Sequence, residues 1–598
     1  MTWDHAACKT AVENAADLTS VAREQSERSR DYYDHHQWTA DEIAVLQRRK
    51  QPINVDNRIK RKIDAMLGWE QRMRTDPRAF PRHPRQAQMA EVGTKALVFV
   101  DDNTRFDAKR TAAFENLLIE GYGGAEVIVE EKRGQYEIAI NRLRWEEIFF
   151  DPHSREKDFS DAAYVGCQKW MTVDSAVETF GPAWEGDEAD LVELLETSMR
   201  STQDGETWED RPFHSNSFQW ADRRQKRVRV AQMYYKAGGV WNLAIFCAGG
   251  PILNTQSPYL DEDGVPTNPI ILMTAYIDRE NNRYGVVEGL ISLQDEINKR
   301  RSKLLHQLNS RQVMAVKGAV DSTAALKREL AAPDGVIEIN TEAMEDAARV
   351  GVRPFEILPQ NDQISGHFSL LAEAKAEIDE IGPDASLTGS EGKSQSGRAI
   401  QAQQQAGMAG IAPIYDSLRD WSLRIYRAVW ERIRQYWTEE RWIRVTDMQG
   451  GVDFMGLNVP QVDEFGQVVG IQNAIGEMDL DVIIDEAPDQ ITLQHEQFEQ
   501  LAQMSQQGIP IPPEMLIEAS SLTNKHELLQ RMEQQQMQAM QAQQAQMQQE
   551  QQYKMAEAMA PVERDMAAAM KDSAGAEKIA AETQDLQVET AQKVVGLR

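Results

Sequence analysis

Positive charge is scarce in this sequence. Its 598 residues include 65 Lys and Arg against 95 Asp and Glu, which gives a net charge of −30. A protein that holds nucleic acid by neutralising phosphates needs clustered cations, so this balance argues against such a binder. It is compatible with a wall past which DNA slides, because a surface that repels phosphates does not hold them. The simpler interpretation is that the acidity only keeps the protein soluble.

Long apolar stretches and paired cysteines are missing as well. No run of 18 apolar residues occurs, so we expect no transmembrane helix and no membrane partner. The first residues, MTWDHAACKT, have neither a basic start nor an apolar stretch, so we expect no signal peptide. Cys8, Cys167 and Cys247 lie far apart without the spacing of metal ligands. That pattern is typical of a reduced, intracellular setting.

No catalytic or metal-binding motif is complete. The run from Gly389 to Ser394 resembles part of a phosphate-binding loop, but Leu387 stands where the first glycine belongs and no buried strand precedes it. HExxH and GxSxG do not occur. Six acidic residues between Glu477 and Asp489 suit a divalent cation less well than they suit a solvated strand face. We therefore predict no enzyme, no metal and no cofactor.

What the chain does contain is a mixture of helical and strand patterns, with helices predominant. Residues 1–283 are predicted to form one α+β domain. Helices are predicted at 10–23, 39–49, 57–74, 106–118 and 172–179, and strands at 125–131, 136–140, 145–150, 163–171, 227–236 and 240–248. Two proline-containing stretches, 76–85 and 249–269, are predicted to be loops.

The stretch 284–437 is the part around which the rest is organised. Apolar spacing predicts a helix from Val286 to about residue 312 and another over 363–381. The insert between them, 313–362, has strand-like runs at 313–316, 335–340 and 354–358 and a helix at 323–330, but too few core positions to be stable alone. A loop of small polar residues follows, and then a helix to about residue 437. We expect this helix to be kinked at Gly407, Gly410 and Pro413.

The C-terminal third returns to strands and then becomes rich in Gln, Met and Ala. Strands are predicted at 442–445, 468–471 and 480–484, and short helices at 494–506 and 513–521. Residues 535–598 have high helix propensity, and near-heptad Met and Ala favour a helix that packs against identical neighbours. A Gln-rich tract of this kind can equally be disordered.

One motif is familiar. Residues 284–290, YGVVEGL, followed by 294–305, QDEINKRRSKLL, resemble the opening of the first stem helix in portal proteins of tailed double-stranded DNA phages, of the P22-like type from short-tailed phages. The order of elements is also similar, from about residue 40 to the end. The resemblance implies a portal fold assembled as a ring, with these parts: wing 1–283, stem helix 284–312, clip 313–362, second stem helix 363–382, tunnel loop 383–398, long kinked helix 399–440, β return to the wing 441–490, crown 491–534 and a Gln-rich helical barrel 535–598.

The family implies a homo-oligomer, typically of twelve subunits, at one capsid vertex of the virion, assembled in the host cytoplasm. Double-stranded DNA passes through it without sequence-specific binding during packaging and ejection. The clip would meet the terminase large subunit and later the tail adaptor or head-completion protein, and the ring would contact major capsid and scaffolding proteins. The tunnel-loop residues expected to face DNA are Thr388, Ser390, Lys393, Ser394, Gln395 and Arg398. The clip cations expected at the docking surface are Lys317, Lys327, Arg328, Arg349 and Arg353.

Two other classes of protein are the alternatives to a portal protein. A structural assembly protein without a channel, such as a coiled-coil factor, would form elongated particles rather than rings, and the strand-rich insert argues against it. A nucleic-acid enzyme such as a terminase or nuclease would need the phosphate-binding loop that the sequence lacks.

Overall fold

Most of the first 486 residues are described in the structure, which is a computed structural model. The described residues are 3–72, 74, 77–83, 87–184, 186–201, 218–223, 225–309, 312–331, 334–342, 345, 349, 353, 355–358, 361–380, 411–446, 452–462, 468–478, 480–484, 501, 515, 564, 566–571, 573–578, 581, 583 and 584. The chain divides into two compact units, Met1–Glu486 and Ala487–Arg598.

Twelve α-helices of eight residues or more lie in the described ranges. They are α1 (His5–Leu18), α2 (Ser20–Tyr33), α3 (Ala40–Arg48), α4 (Arg58–Arg72), α5 (Ala87–Thr104), α6 (Phe106–Ile119), α7 (Val173–Phe180), α8 (Glu188–Ser201), α9 (Val286–Asn309), α10 (Thr323–Ala331), α11 (Asn361–Glu380) and α12 (Ala412–Tyr436). Local signals set their starts: Thr39 and Glu42 form a reciprocal capping box on α3, and Thr172 caps α7. None of the helices described is long and apolar enough to cross a membrane.

The strands form small antiparallel sheets. They are β1 (Pro77–Pro81), β2 (Tyr122–Lys132), β3 (Gln135–Leu143), β4 (Ile148–Phe150), β5 (Tyr164–Thr172), β6 (Ala221–Asp222), β7 (Arg227–Ala237), β8 (Val240–Cys247), β9 (Gly250–Gln256), β10 (Ile270–Thr274), β11 (Tyr276–Ile277), β12 (Arg283–Tyr284), β13 (Gln312–Ala315), β14 (Phe355–Leu358), β15 (Arg441–Thr446), β16 (Val452–Leu457), β17 (Val459–Val462), β18 (Val468–Gln472) and β19 (Leu480–Ile484). The largest sheet runs β4-β5-β7-β8-β9, with β6 paired to β7. A three-stranded sheet has the order β10-β2-β3.

One side of α12 supplies the centre of the largest hydrophobic core. Ile414, Leu418, Trp421, Ile425 and Val429 recur at the spacing of a single helix face and are all buried. They pack with side chains of α4, α5, α6 and the β10-β2-β3 sheet. The Trp421 indole donates to the Ile271 carbonyl at 2.9 Å and its ring lies 5.7 Å from that of Phe106. Residues more than 300 positions apart therefore share one core.

Most of the predicted elements are present, with ends displaced by a few residues. The predicted hairpin is β2–β3, whose turn holds Arg133 and Gly134 at positive φ. The first stem helix ends at Asn309 rather than near residue 312, where a strand already begins.

Several predictions were wrong. Residues 77–81 form β1 instead of a loop. A strand tolerates these two prolines because both stand at its ends and because it pairs on one side only, with β19. Part of the predicted loop 249–269 is β9. Residues 335–340, predicted as a strand, have no regular structure. Helices α5 and α8 were not predicted, and the predicted helix 10–23 runs across the boundary at Thr19 between α1 and α2.

Replacing Trp421 with Ala tests the role of α12. The side chain is fully buried, so we expect a loss of about 3–5 kcal/mol in the free energy of unfolding, from lost burial, a cavity and the lost hydrogen bond to the Ile271 carbonyl. Urea denaturation measures this. Trp442→Ala removes the same side chain at an exposed strand position and should cost less than about 1 kcal/mol. Equal losses in the two variants would contradict the assignment.

Candidate functional site: the stem and the clip

Helices α9 and α11 pack against each other as an antiparallel pair, here called the stem pair. Their contact is made by Ile297 and Leu304 of α9 and by Leu371, Ala374 and Ile378 of α11. At one end of the pair, β13 and β14 join in an antiparallel ladder from Gln312–Leu358 to Ala315–Phe355. At the other end, Arg58 contacts both helices: its amide donates to Gln294 of α9 and its guanidinium to Asp379 of α11, at 3.0 and 2.7 Å. The two helices are therefore held together at both ends.

A row of buried polar side chains attaches α9 to the wing. Gln294, Asn298 and Ser302 follow one another at intervals of four residues, so they lie on one helix face, and all three are buried. The Gln294 amide donates to the Asp56 carbonyl at 2.8 Å, the Asn298 amide donates to Gln37 Oε1 at 2.6 Å, and Ser302 Oγ donates to the Pro52 carbonyl at 2.6 Å. Asn298 Oδ1 also accepts from the Asp56 amide at 3.1 Å. This face binds the extended segment 51–57 along the stem.

The side chain of Asp56 links this segment to both stem helices. Its Oδ2 accepts from Arg301 of α9 at 2.6 Å and from Lys375 of α11 at 2.8 Å. Burial opposes ionisation, but the hydrogen bond from Lys375 and the charges of Lys375, Arg301 and Arg58 keep the pKa of Asp56 below its ordinary value of 3.8. The carboxylate is thus ionised at neutral pH and holds three chain segments in one place.

The start of the stem is fixed by close packing. A Cβ on Gly285 would lie 2.4 Å from the Leu118 carbonyl oxygen, so only glycine fits against the end of α6. Val287 and Leu290, one turn further on, are buried in the main core. The residues of the family-like motif therefore anchor the stem in the wing.

The clip, residues 313–362, has almost no core of its own. Among its described residues only Ala319 is buried, while four large apolar side chains are exposed: Met314 at 54%, Val316 at 38%, Val336 at 73% and Ile357 at 45%. Leu308 and Phe368, on the stem pair beside it, are exposed as well. An apolar surface of this kind is typical of a segment that is covered by another molecule.

The predicted docking cations lie on the surface of this clip. Lys317 is exposed after β13, and Lys327 and Arg328 are exposed on α10. Arg349 is exposed, and Arg353 pairs with Glu356 at 2.8 Å. No contact joins these five side chains into one cluster in the described structure.

The predicted tunnel loop lies outside the described residues, as do Gly407 and Gly410. Pro413 is described and stands in the first turn of α12, where a missing backbone donor costs no helical hydrogen bond. The kink itself stays a prediction. In the described part of the chain no group of His, Cys, Asp and Glu is arranged to hold a metal ion.

Comparison with known proteins identifies the family. The family model for phage P22-like portal proteins matches residues 9–572. The chain belongs to the phage P22-like portal protein family. It is also 20% identical over 442 residues to the portal protein of Helicobacter pylori bacteriophage KHP30, an alignment that covers 73% of this chain and 67% of that protein.

Membership in the family confirms the predicted portal function and the α+β fold. Portal proteins are structural proteins of the virion capsid rather than enzymes, and as a family they form ring oligomers that interact with capsid and terminase. The polar face of Gln294, Asn298 and Ser302 was missed as an attachment surface, although the motif contains all three. Its signal was uncharged polar residues four apart on a helix whose other polar positions are mostly charged.

Replacing Asp56 with Asn tests whether this carboxylate holds the stem. Because the pKa is lowered in the folded protein, its stabilisation is present above pH 3.8 and is lost as the pH falls through the folded-state pKa. We expect a loss of about 1–3 kcal/mol in unfolding free energy at pH 7, and a difference that shrinks as the pH falls from 3.8 through the folded-state pKa. Asp420→Asn, at an exposed ion pair, should change stability by less than about 1 kcal/mol at either pH. A pH-independent loss at Asp56 would refute the proposed ionic role.

Replacing Asn298 with Ala tests the polar face. The change leaves the Asp56 backbone amide and Gln37 Oε1 without their Asn298 partners, so we expect a loss of about 2–4 kcal/mol. Hydrogen exchange at the Asp56 amide should become faster. Ser292→Ala, on the exposed side of α9, serves as the control and should leave both quantities unchanged. If the Asp56 amide keeps its protection in Asn298→Ala, the attachment does not depend on this face.

Proposed function

We propose that twelve copies of this chain close into a ring at one capsid vertex, with the stem pairs around a bore through which double-stranded DNA is packaged and ejected. The observation that carries the proposal is the clip, which projects from the stem pair with exposed apolar side chains and no core. Neighbouring clips in a ring would bury Met314, Val336 and Ile357 against each other, and about 25 cal/mol is gained per Å² of apolar surface removed from water.

The negative net charge of the chain supports a ring through which DNA passes without being tightly bound. At a net charge of −30 the wall of a ring repels phosphates, so a moving duplex is not retained. We assign the few DNA contacts to the tunnel loop, 383–398, where Lys393 and Arg398 supply positive charge and Thr388, Ser390, Ser394 and Gln395 supply hydrogen bonds. These contacts would be to the phosphate backbone and independent of base sequence.

The clip is also our proposed docking platform. Lys317, Lys327, Arg328 and Arg353 are exposed on it and suit an acidic surface on the terminase large subunit during packaging and on the tail adaptor afterwards. Major capsid and scaffolding proteins would contact the ring during its assembly in the host cytoplasm. This assignment makes the clip a surface shared by successive partners.

The C-terminal unit is our proposed helical barrel. Its described residues between 564 and 584 are helical, and Met566 and Met570, one turn apart, are both exposed. Identical helices in neighbouring copies would cover these methionines. We retain 491–534 as the crown and 535–598 as the barrel.

Mass photometry and electron microscopy of the purified protein test the ring. We expect annular particles with a mass near twelve times 67.8 kDa. Val336→Asp combined with Ile357→Asp should reduce the ring fraction at least about tenfold without lowering the unfolding free energy of the subunit, because both side chains are exposed in the single chain. Val21→Asp combined with Val265→Asp makes the same change at exposed sites away from the stem and clip and should leave assembly intact.

Elongated particles without a central hole would favour a structural assembly protein and refute the ring. Normal rings formed by the clip variant would show that the clip is not buried between copies.

A further inference from the structure

The stem region carries two exposed flanks of opposite charge that have no partner of opposite sign in the described chain. One is a basic corner formed by Arg48, Arg49 and Lys50 at the end of α3. The other is an acidic flank formed by Glu373 and Glu377 on α11. Both lie beside the stem pair, and their arrangement indicates what they contact.

The basic corner is held next to α9. Lys299 of α9 pairs with Glu42 of α3 at 3.1 Å, and Pro52, two residues after Lys50, accepts the hydrogen bond from Ser302. All three cations are exposed, and none forms an ion pair with a described residue. Lys50 has a φ of 54°, the left-handed position after a helix that usually favours glycine. The corner is therefore a group of exposed cations on a stretch of backbone held beside α9.

The acidic flank faces away from everything to which α11 is attached. Glu373 and Glu377 are four residues apart, so they share one side of the helix. Leu371, Ala374 and Ile378 turn another side toward α9, and Lys375 and Asp379 turn a third toward Asp56 and Arg58. Both glutamates are exposed, and neither pairs with a described cation. The flank is an unneutralised pair of carboxylates on a rigid helix.

The two flanks lie on different sides of α9. Ile297 packs against α11, whereas Lys299 reaches α3, and two residues correspond to about 200° around a helix. Within one chain, none of the three cations of the corner forms an ion pair with Glu373 or Glu377. Both flanks are therefore available to a second copy.

We propose that the basic corner of one copy binds the acidic flank of the next copy. This inference rests on the proposed ring. In a head-to-tail ring each subunit presents two different surfaces to its neighbours, and here those surfaces carry opposite charges. Arg48 and Arg49 would pair with Glu373 and Glu377 around the whole ring, which fixes the direction in which subunits add.

A second copy accounts for the charges better than a nucleic acid does. Phosphates would match the basic corner, but Glu373 and Glu377 beside the same stem would repel them. A neighbouring copy matches both flanks at once. The chain is also acidic as a whole, so a local group of three exposed cations is a strong directional signal between identical subunits.

Charge reversal tests the pairing. Arg48→Glu with Arg49→Glu reverses the corner, and Glu373→Lys with Glu377→Lys reverses the flank. Each double variant alone should raise the protein concentration at half-assembly at least about tenfold, because attraction becomes repulsion at every interface. The variant with all four changes has the net charge of the wild type and should assemble within about threefold of it. Arg133→Glu, at an exposed hairpin turn, controls for the loss of a cation.

Mixing the two double variants is the sharper measurement. In an equimolar mixture, the acidic corner of one variant meets the basic flank of the other, and the basic corner meets the acidic flank. We therefore expect rings in which the two variants alternate, as counted by native mass spectrometry with one variant isotopically labelled. A variant that merely folds poorly cannot be rescued in this way.

Three results of these experiments separate the pairing, nucleic-acid binding and the absence of a ring. Rescue by mixing and in the four-fold variant supports the inference. Normal rings from both double variants, with DNA retention lost only when the corner is reversed, would assign the corner to nucleic acid and overturn it. Failure of the wild type to form rings in any state would instead refute the proposed function on which the inference rests.

Discussion

The attachment of the stem pair centres on one carboxylate. Asp56 accepts from Arg301 of α9 and from Lys375 of α11, and its own backbone is held by Gln294 and Asn298. A partly buried carboxylate with two cationic partners joins both stem helices to the segment before α4, while close packing at Gly285 fixes the start of α9. The clip has almost no core and takes its position from the stem pair. Its place in any assembly therefore depends on these attachments.

Exposed positive charge is also confined to particular places on the chain. The wing, stem and clip belong to an acidic chain, so any exposed cluster of cations is a local exception to a repulsive surface. Such an exception occurs at the corner of α3, where a contact with another copy is proposed. The acidic remainder suits a bore for DNA, because repulsion keeps a long polyanion mobile.

The helices and strands whose apolar residues repeat regularly could be predicted from the sequence. Helix α12 and the hairpin β2–β3 were found because each repeats apolar residues at its own period. Strand β1 was not found, because its prolines are typical of loops and its partner β19 lies about 400 residues away. The role of Asp56 could not be predicted either. It is one of 95 Asp and Glu residues, and only its contacts with Arg301 and Lys375 in the folded chain distinguish it. The family motif led to the right function, but its polar residues proved to be attachments to the wing.

Cryo-electron microscopy of the assembled protein tests the account most directly. The predicted map is a closed ring of head-to-tail subunits, with α9 and α11 around the bore, the clips at one end and Arg48 and Arg49 of each copy within about 4 Å of Glu373 and Glu377 of the next. A ring whose stem pairs lie on its outer rim, or a protein that remains monomeric under all conditions, would contradict it.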